Sequence, residues 1–328
     1  MPNSGAKQLD ITQMPNFLFG NEQNTEAATG CTVVICPNGA VTGVDVRGGS
    51  PGTRDTDSLN PINNRDVVHA VVLAGGSSFG LESCEGVMQY LEQQSIGRDV
   101  GNTVVPNVCG AILFDLKCGD YRVRPDKAMG FRTCEHAFEK KLFQNGNFGA
   151  GTGATVGKIS GLQNAMKGGL GSSLFQFGDL LVGAVVAVNC VGDVLDTQTG
   201  EILAGAFLHN KFIFSQTYML EHYADEKDFF SSNTVIGVLV TNAKLNKNQA
   251  TKLAGIGQDS IARAISPAHS VFDGDTVFAM SYGEVCANID AVGVLAAKAM
   301  ETAIANGIVS AKSAHEYLSY QELKRNMK

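Results

Sequence analysis

Short apolar segments rich in valine and isoleucine recur along this chain, and glycine-rich or polar stretches separate them. Such segments are typical of strands buried on both faces. We expect strands in five of them: 67–74, 108–116, 179–196, the TVIGVLVT segment that begins at Thr234, and TVFAMS at 276–281. Helices are predicted over 79–93, 126–141, 246–264, 286–305 and 312–325. Strands and helices mixed along the whole length predict a single α/β or α+β domain over 1–328.

Turn residues and polarity predict three further local features. CTVVIC at 31–36 and AVTGVDV at 40–46 are joined by Pro-Asn-Gly at 37–39, which favours a β-hairpin. Residues 208–232 have weak periodicity and end in polar residues, so we expect an exposed linker there. Asp126 is the expected N-cap of the helix that follows it.

Composition narrows the classes of function. With 44% hydrophobic residues the chain can bury a large core, and with 17% charged residues we expect a compact homo-oligomer. A net charge of −7 argues against nucleic-acid or anionic-membrane partners, because both require clustered Lys and Arg. The sequence has no run of about 18 apolar residues, and no signal peptide is visible in MPNSGAKQLDITQMPNF. We therefore expect a cytoplasmic protein with no membrane partner.

The eight cysteines predict buried, reduced thiols. They are scattered, with no Cys-x-x-Cys pair and no Cys/His partner at zinc spacing. Most lie within apolar runs, as Cys109 and Cys190 do. The sequence therefore predicts no metal site.

One motif indicates a serine hydrolase. GSSFG at 76–80 matches the G-x-S-x-G pattern of a nucleophile elbow and lies between a predicted strand and a predicted helix. Ser78 would then be the nucleophile of an α/β-hydrolase, with His269 or His315 as its base. No HGG-type oxyanion loop precedes the motif, and glycines and serines at a helix start also supply caps and free N–H groups. Both interpretations stay open.

Glycine, at 38 of 328 residues, dominates the stretch 145–178. GAGTGATVGK at 149–158 resembles a phosphate-binding loop, but Thr152 stands where glycine is needed and Ile159 where Ser or Thr is needed. The looser dinucleotide fingerprint lacks a preceding strand and a following acidic residue. We interpret the segment as backbone that lines a cleft and places one cation, Lys158, there.

The Asn233–Thr234 junction runs from a polar segment directly into a buried strand that begins with a hydroxyl residue. Such a threonine can attack the preceding carbonyl, pass through an ester, and be released by water as a new N-terminus. Its α-amine is then the base for its own hydroxyl. The plain alternative is an ordinary strand start, because threonine is common in strands. The local sequence alone favours the plain alternative.

Asp273-Gly274-Asp275 places two carboxylates in a glycine turn. No further acids have EF-hand spacing, so the pattern does not indicate a calcium loop. The carboxylates are either solvated turn residues or groups that orient a nucleophile or bind an ammonium group. His269 is interpreted as a structural loop histidine rather than a base.

Six collinear stretches cover nearly the whole chain: VDVRGGSPGTRDTD (44–57), VVLAGGSSFGLESCEGVMQYLE (71–92), FGAGTGATVGK (148–158), VGAVVAVNCVGDV (182–194), NTVIGVLVTNAKLNK (233–247) and ARAISPAHSVFDGDTVFA (262–279). Together they resemble the DmpA-type aminopeptidase family, in its threonine branch, which includes the nylon-oligomer hydrolase. The resemblance implies a four-layer αββα sandwich of the N-terminal-nucleophile type, self-cleavage before a Ser or Thr, and hydrolysis of amide or ester bonds without metal or cofactor.

The resemblance reverses the local interpretation of the junction. By position, Thr234 resembles the nucleophile, and Asn233 lies on the acyl side of the bond that is cleaved. Cleavage would give an α chain of 1–233 and a β chain of 234–328. The two are expected to stay associated, because the cut precedes a core strand.

Other site residues are carried over in the same way. Asp273 and Asp275 resemble the acidic pair that orients the nucleophile, and Asn189 resembles the asparagine that supports the oxyanion. Lys158 resembles the lysine of the glycine loop. Phe114 stands where some members have Tyr, so a phenol contribution to substrate binding is in question.

The glycine segments are expected to line the substrate cleft. The implied substrates are small peptides and amino-acid amides or esters, including D- or β-aminoacyl groups, or ω-amino-acid oligomers. A non-cleaving binding protein of the same fold is a further alternative. The expected lining residues are Gly75, Gly76, Ser77, Ser78, Phe114, Gly151 and Gly153.

Overall fold

The computed structural model describes residues 5–65, 67–224 and 233–326. Its strands are β1 (Lys7–Leu9), β2 (Leu18–Asn24), β3 (Thr29–Val46), β4 (Thr53–Arg54), β5 (Val68–Ala74), β6 (Arg98–Asp99), β7 (Val104–Val105), β8 (Val108–Ile112), β9 (Thr155–Val156), β10 (Met166–Lys167), β11 (Gly169–Phe177), β12 (Leu180–Asn189), β13 (Asp193–Leu195), β14 (Ile202–Ala204), β15 (Ala206–Leu208), β16 (Lys211–Ile213), β17 (Thr234–Ala243), β18 (Ile265–Ser266) and β19 (Thr276–Val285). Its α-helices are α1 (Ser83–Gln93), α2 (Lys127–Phe138), α3 (Ser215–Glu221), α4 (Lys247–Ala264), α5 (Ile289–Val309) and α6 (Tyr320–Asn326).

The long strand β3 connects two halves of the main sheet, whose order is β1-β11-β12-β17-β19-β3-β5-β8-β4 with β2 also paired to β3. Residues 29–35 pair with β2 or β5, and residues 41–46 pair with β19. The register shifts between Ile35 and Ala40, and Gly39 there has a φ of 77°. The predicted hairpin is therefore wrong. Pro-Asn-Gly forms an irregularity within one strand, which lets the strand bend from one half-sheet into the other.

Alternate residues of β12 show how the layers are arranged. Ala184, Val186 and Val188 belong to an apolar cluster with residues of α4 and α5. Val185 and Ala187 belong to a second cluster, which lies between the two half-sheets. A third cluster joins β3, β5 and β8 to α1 and α2. The order helices, sheet, sheet, helices confirms the expected four-layer αββα sandwich.

Local polar residues define where two core helices begin. Asp126 Oδ1 accepts a hydrogen bond from the Met129 N–H at 2.8 Å, which confirms the predicted N-cap of α2. Asn246 and Gln249 form a capping box at the start of α4. These bonds satisfy backbone donors that a helix start otherwise leaves free.

Within the described residues, α5 is the one helix long and apolar enough to cross a membrane by length and composition. It packs against β11, β12 and α4, and its buried side chains join the first apolar cluster. This packing identifies α5 as a core helix of the sandwich.

The segment predicted as an exposed linker is partly ordered. Strands β15 and β16 pair with each other, and α3 follows them. The Asp193 carboxylate anchors α3, because it accepts from both the N–H and the hydroxyl of Ser215 at 2.8 Å. The linker prediction is therefore wrong for 208–221, where a distant anchor supplies order that local periodicity does not show. Residues 225–232 of that prediction lie outside the described residues.

Most of the cysteines have the buried environment that we expected, whereas Cys118 is half-buried and Cys286 is exposed. All eight are free thiols, and six of them are buried. In the described part of the chain, no group of three or more His, Cys, Asp or Glu side chains could hold a metal ion.

Candidate active site

Thr234 and Asn233 lie at the beginning of a central strand of the sheet. Thr234 is the first residue of β17, which runs between β12 and β19. Both residues are buried, with 4% and 2% exposure respectively. The Thr234 hydroxyl donates a hydrogen bond to the carbonyl oxygen of Asn233. The structure thus places a hydroxyl group beside the peptide carbonyl that precedes it, as self-cleavage requires.

The same carbonyl has a second donor, from the turn Asp273–Asp275. The Gly274 N–H donates to the Asn233 oxygen at 3.0 Å, and Asn233 forms a β-bridge with Asp273. A Cβ on Gly274 would lie 2.8 Å from Thr234 Oγ1, so a side chain there would displace the hydroxyl. The carbonyl oxygen therefore has a backbone donor that can stabilise negative charge.

Asp275 holds the residue that follows Thr234. Its Oδ1 accepts from the Val235 N–H at 2.7 Å. Its Oδ2 lies 2.8 Å from Nδ1 of His269 and also accepts from the His269 backbone N–H at 3.2 Å. Burial works to lower the pKa of His269, but the hydrogen bond and charge of Asp275 outweigh it and raise the pKa above its ordinary value. His269 is therefore part of the acidic site, which the sequence interpretation missed.

Asp273 differs from Asp275 in having an unused oxygen. Its Oδ2 accepts from the Ser270 N–H at 2.6 Å, whereas its Oδ1 is buried and has no hydrogen-bond partner among the described residues. Burial and the neighbouring charge of Asp275 raise the pKa of Asp273 to about 6. A buried carboxylate oxygen without a partner is a ready acceptor for an ammonium group.

Asn189 lies directly opposite Thr234 in the antiparallel pairing of β12 with β17. Its Oδ1 accepts from Lys158 Nζ at 2.9 Å and from the Thr155 N–H at 3.0 Å. Its Nδ2 donates to the carbonyl oxygen of Phe114 at 3.1 Å. Burial lowers the pKa of Lys158 to about 8. These contacts orient the carboxamide and leave one Nδ2 hydrogen for a further acceptor.

The backbone of residues 47–50 forms hydrogen bonds with the backbone of the turn Asp273–Asp275, called the acidic turn below. The Arg47 N–H donates to the Asp275 carbonyl at 3.0 Å, and the Ser50 N–H donates to the Asp273 carbonyl at 2.8 Å. A Cβ on Gly48 would lie 2.1 Å from that Asp273 oxygen, so only glycine fits there. Sequence reasoning gave this stretch no role. The available signal was its paired glycines directly after a strand.

Asp115 contacts both glycine-rich segments that we expected to line the cleft, the one at 75–78 and the one at 149–158. Its Oδ1 accepts from the Gly76 N–H at 2.7 Å, and a Cβ on Gly75 would lie 2.0 Å from its Oδ2. A Cβ on Gly153 would lie 2.7 Å from Asp115 Cβ, and Gly151 packs against the backbone of β11. At these positions small residues let segments of the chain approach one another. Their contact with a substrate stays a prediction.

Ser78 lacks the surroundings of a nucleophile elbow. It is exposed, and the residues with left-handed backbone in this turn are Gly76 and Ser77, whose φ values are 80° and 54°. Across the described ranges, no histidine or carboxylate forms a hydrogen bond with Ser78. The two candidate bases form hydrogen bonds elsewhere: His269 Nδ1 with Asp275, and His315 Nε2 with the backbone carbonyl oxygen of Thr25. The geometry therefore does not support Ser78 as a nucleophile.

Solved structures define the class of the fold. An L-aminopeptidase D-Ala-esterase/amidase from Ochrobactrum anthropi, described as a variant of the Ntn hydrolase fold, matches with a TM-score of 0.69 and 17% identity, over 96% of this chain and 92% of that one. A β-aminopeptidase from Burkholderia sp. matches with a TM-score of 0.67 and 19% identity, over 97% and 92%. The chain thus has an N-terminal-nucleophile hydrolase fold.

Sequence comparison narrows this class to one family. The model of peptidase family S58 matches residues 10–319, and the chain belongs to that family. An uncharacterized aminopeptidase from Mycobacterium leprae is 42% identical over 264 residues, which are 79% of this chain and 72% of that protein. A 6-aminohexanoate-oligomer endohydrolase from Kocuria sp. is 31% identical over 313 residues, 88% of this chain and 83% of that protein. The resemblance to DmpA-type aminopeptidases is confirmed, and the protein is a hydrolase that acts on amide bonds.

Proposed function

We propose that the chain is a precursor that cleaves itself between Asn233 and Thr234 and then hydrolyses amide bonds with Thr234 as its N-terminal nucleophile. The observation that carries the proposal is the arrangement around one carbonyl. The Asn233 oxygen accepts from both the Thr234 hydroxyl and the Gly274 N–H. The nucleophile and an oxyanion donor therefore both contact the carbonyl group of the peptide bond that is to be cleaved.

In the self-cleavage step, Thr234 Oγ1 forms a bond to the carbonyl carbon of Asn233. The Gly274 N–H stabilises the negative charge that develops on the carbonyl oxygen. The peptide C–N bond then breaks, and the hydroxyl proton is transferred to the departing nitrogen, which becomes the α-amine of Thr234. Water hydrolyses the resulting ester, so the products are an α chain of 1–233 ending in a carboxylate and a β chain of 234–328 with its hydroxyl restored.

The new α-ammonium group of Thr234 requires buried acceptors. Asp273 Oδ1 supplies one, since it has no hydrogen-bond partner among the described residues of the uncut chain. In the mature enzyme the ammonium group releases one proton to solvent, and the neutral α-amine then accepts the hydroxyl proton while Oγ1 attacks the substrate carbonyl. The remaining Nδ2 hydrogen of Asn189 stabilises the oxyanion. The proton then leaves with the substrate amine, and water hydrolyses the acyl-enzyme.

The family and its relatives support small amide substrates. The name aminopeptidase among the relatives supports cleavage after an N-terminal aminoacyl group, in small peptides, amino-acid amides or esters, with D- or β-aminoacyl groups included. The relatives named 6-aminohexanoate-oligomer endohydrolase support ω-amino-acid oligomers as the other class. We further propose a cytoplasmic homo-oligomer of cleaved protomers, for which the low charged fraction of 17% is the supporting observation.

The test is the intact mass of the purified protein under denaturing conditions. Cleavage predicts fragments of about 25 and 10 kDa in place of 34.6 kDa, with the smaller one beginning at Thr234. Thr234→Ala should remain uncut and inactive, whereas Thr234→Ser should keep some cleavage. Thr241→Ala, a buried threonine on the same strand, is the matched control and should be cut normally. A parent chain that stays at 34.6 kDa and binds amino acids without turnover would contradict the proposal.

A further inference from the structure

His269 bridges the acidic turn and a core helix. Its Nδ1 lies 2.8 Å from Asp275 Oδ2, and its Nε2 lies 3.2 Å from the backbone carbonyl oxygen of Gln258 in α4. The side chain is 17% exposed, and the backbone φ of 57° lies in the left-handed region. Both polar edges of the ring are thus held by other groups.

The two contacts together define the protonation state of the ring. A neutral imidazole has one N–H, whereas an imidazolium has two. The Gln258 carbonyl can only accept, and Asp275 already accepts from two backbone N–H groups. The imidazolium is therefore the form that satisfies both sides. Arg47 is the cation that opposes this charge, and it is itself paired with carboxylates of Asp45 at 3.0 Å and Asp259 at 2.6 Å.

Asp275 links His269 to the backbone next to the nucleophile Thr234. Its Oδ1 accepts from the Val235 N–H at 2.7 Å, and that nitrogen belongs to the peptide group of the Thr234 carbonyl. We propose that His269 is a positioning residue, whose imidazolium holds Asp275 against the Val235 amide and thereby fixes Thr234 for attack. This inference rests on the proposed function. His269 is not the base for Thr234, because neither of its nitrogens has a free lone pair in this arrangement.

Two conservative variants separate the two ring contacts. In His269→Asn the amide nitrogen takes the place of Nδ1, so it can still donate to Asp275. In His269→Gln the amide nitrogen takes the place of Nε2, so it can reach Gln258 but not Asp275. A hydrogen bond to a charged group contributes enough that His269→Gln should lower kcat and the self-cleavage rate by about 10- to 100-fold, with KM nearly unchanged. His269→Asn should lose less than about threefold.

His209 is a matched control for backbone effects. It also has a positive φ, of 50°, but it is exposed. His209→Asn and His209→Gln should therefore be cut and turn over substrate at parent rates, which shows that glutamine in a left-handed conformation is tolerated. Thermal unfolding of all four variants checks that the fold is retained.

Nitrogen NMR of the His269 ring gives a second readout, independent of activity. In the uncut Thr234→Ala variant, both ring nitrogens of His269 should carry protons at pH 7. In the double variant Thr234→Ala, Asp275→Asn, the ring should be neutral, with one protonated nitrogen. Equal losses of activity in the Asn and Gln variants, or a neutral ring at pH 7, would overturn the positioning role. If the parent is active but uncut, self-cleavage fails as a proposal, while the contrast between the two variants still decides the role of His269.

Discussion

The carboxamide of Asn189 lies directly across the sheet from Thr234, with its oxygen occupied and one nitrogen hydrogen unused. Lys158 Nζ donates to both the side-chain and the backbone oxygen of Asn189, at 2.9 and 3.0 Å. The lysine is thus committed to orienting the asparagine. Because its oxygen is taken by Lys158 and the Thr155 N–H, the group that the Asn189 carboxamide still offers is an N–H donor rather than an acceptor.

Asn189→Asp should lower turnover by about 100- to 1,000-fold, the usual cost of losing one oxyanion donor. An aspartate keeps an acceptor for Lys158 but has no N–H to donate. The measurement is kcat on an amino-acid amide, with Asn242→Asp, at the opposite end of β17 from Thr234, as the control. Turnover within tenfold of the parent would show that another group receives the oxyanion.

Gly274→Ala should slow self-cleavage while leaving the chain folded. Its Cβ would lie 2.8 Å from Thr234 Oγ1 and 3.0 Å from the Ser50 carbonyl oxygen, so the hydroxyl must move away from the Asn233 carbonyl. We expect at least a tenfold slower appearance of the 234–328 fragment, since a displacement of about 1 Å can cost a factor of 100. Gly255→Ala, within α4, is the control and should be cut at the parent rate. Equal cleavage of both variants would contradict the assigned geometry.

Asp273 should make the precursor less stable as pH rises through about 6. Its folded pKa is raised by burial and by Asp275, so the folded chain binds a proton more tightly than the unfolded chain between about pH 4 and 6. Asp273→Asn in uncut Thr234→Ala should therefore be more stable at pH 7 by about 1–3 kcal/mol, and the gain should vanish near pH 4. Urea unfolding at both pH values measures this. A gain of the same size at both would show that ionisation of Asp273 is not its cause.

Lys167 should be essential for the stability of the glycine-rich segment. It is fully buried, and its Nζ donates to the carbonyl oxygens of Gly151, Ala154 and Gly168 at 3.2, 2.6 and 3.1 Å. Lys167→Met removes all three bonds: the Gly151 and Ala154 oxygens keep backbone donors at 3.2 and 2.9 Å, whereas the Gly168 oxygen loses its Lys167 donor. The loss should be about 1–3 kcal/mol. Urea unfolding in the Thr234→Ala background measures the loss. Exposed Lys252→Met should change stability by less than about 0.5 kcal/mol, and a similar small effect at Lys167 would disprove the assignment.

Ser78→Ala separates the two nucleophiles that the sequence offers. Since Ser78 is exposed and lacks a base, the variant should cleave itself completely and keep its kcat, with KM as the quantity that a substrate contact would change. Intact mass and amide turnover, measured beside Thr234→Ala, give both readouts. An uncut Ser78→Ala chain without turnover would restore the serine hydrolase interpretation.

Local sequence was sufficient where the cause of a structure is also local. The apolar segment beginning at Thr234 predicted β17, and Asp126 predicted the start of α2 three residues before its backbone donor at Met129. The family resemblance added the residues around Thr234, and the structure brings Asn189, Asp273 and Asp275 to that end of β17. Their chemical roles remain predictions, because position alone does not show reactivity.

By itself the sequence determined the mixed α/β class, the main apolar strands and the Asp126 helix cap, because these follow from apolar periodicity and from bonds between near neighbours. The αββα arrangement came from the family resemblance. Only the tertiary structure decided that residues 37–39 bend one strand instead of closing a hairpin, and that His269 holds Asp275. It also decided that Asn189 faces Thr234 and reaches Phe114, 75 residues away in the chain. The physical reason is that a buried polar group must find a partner wherever the fold brings one, and folding selects that partner among distant residues.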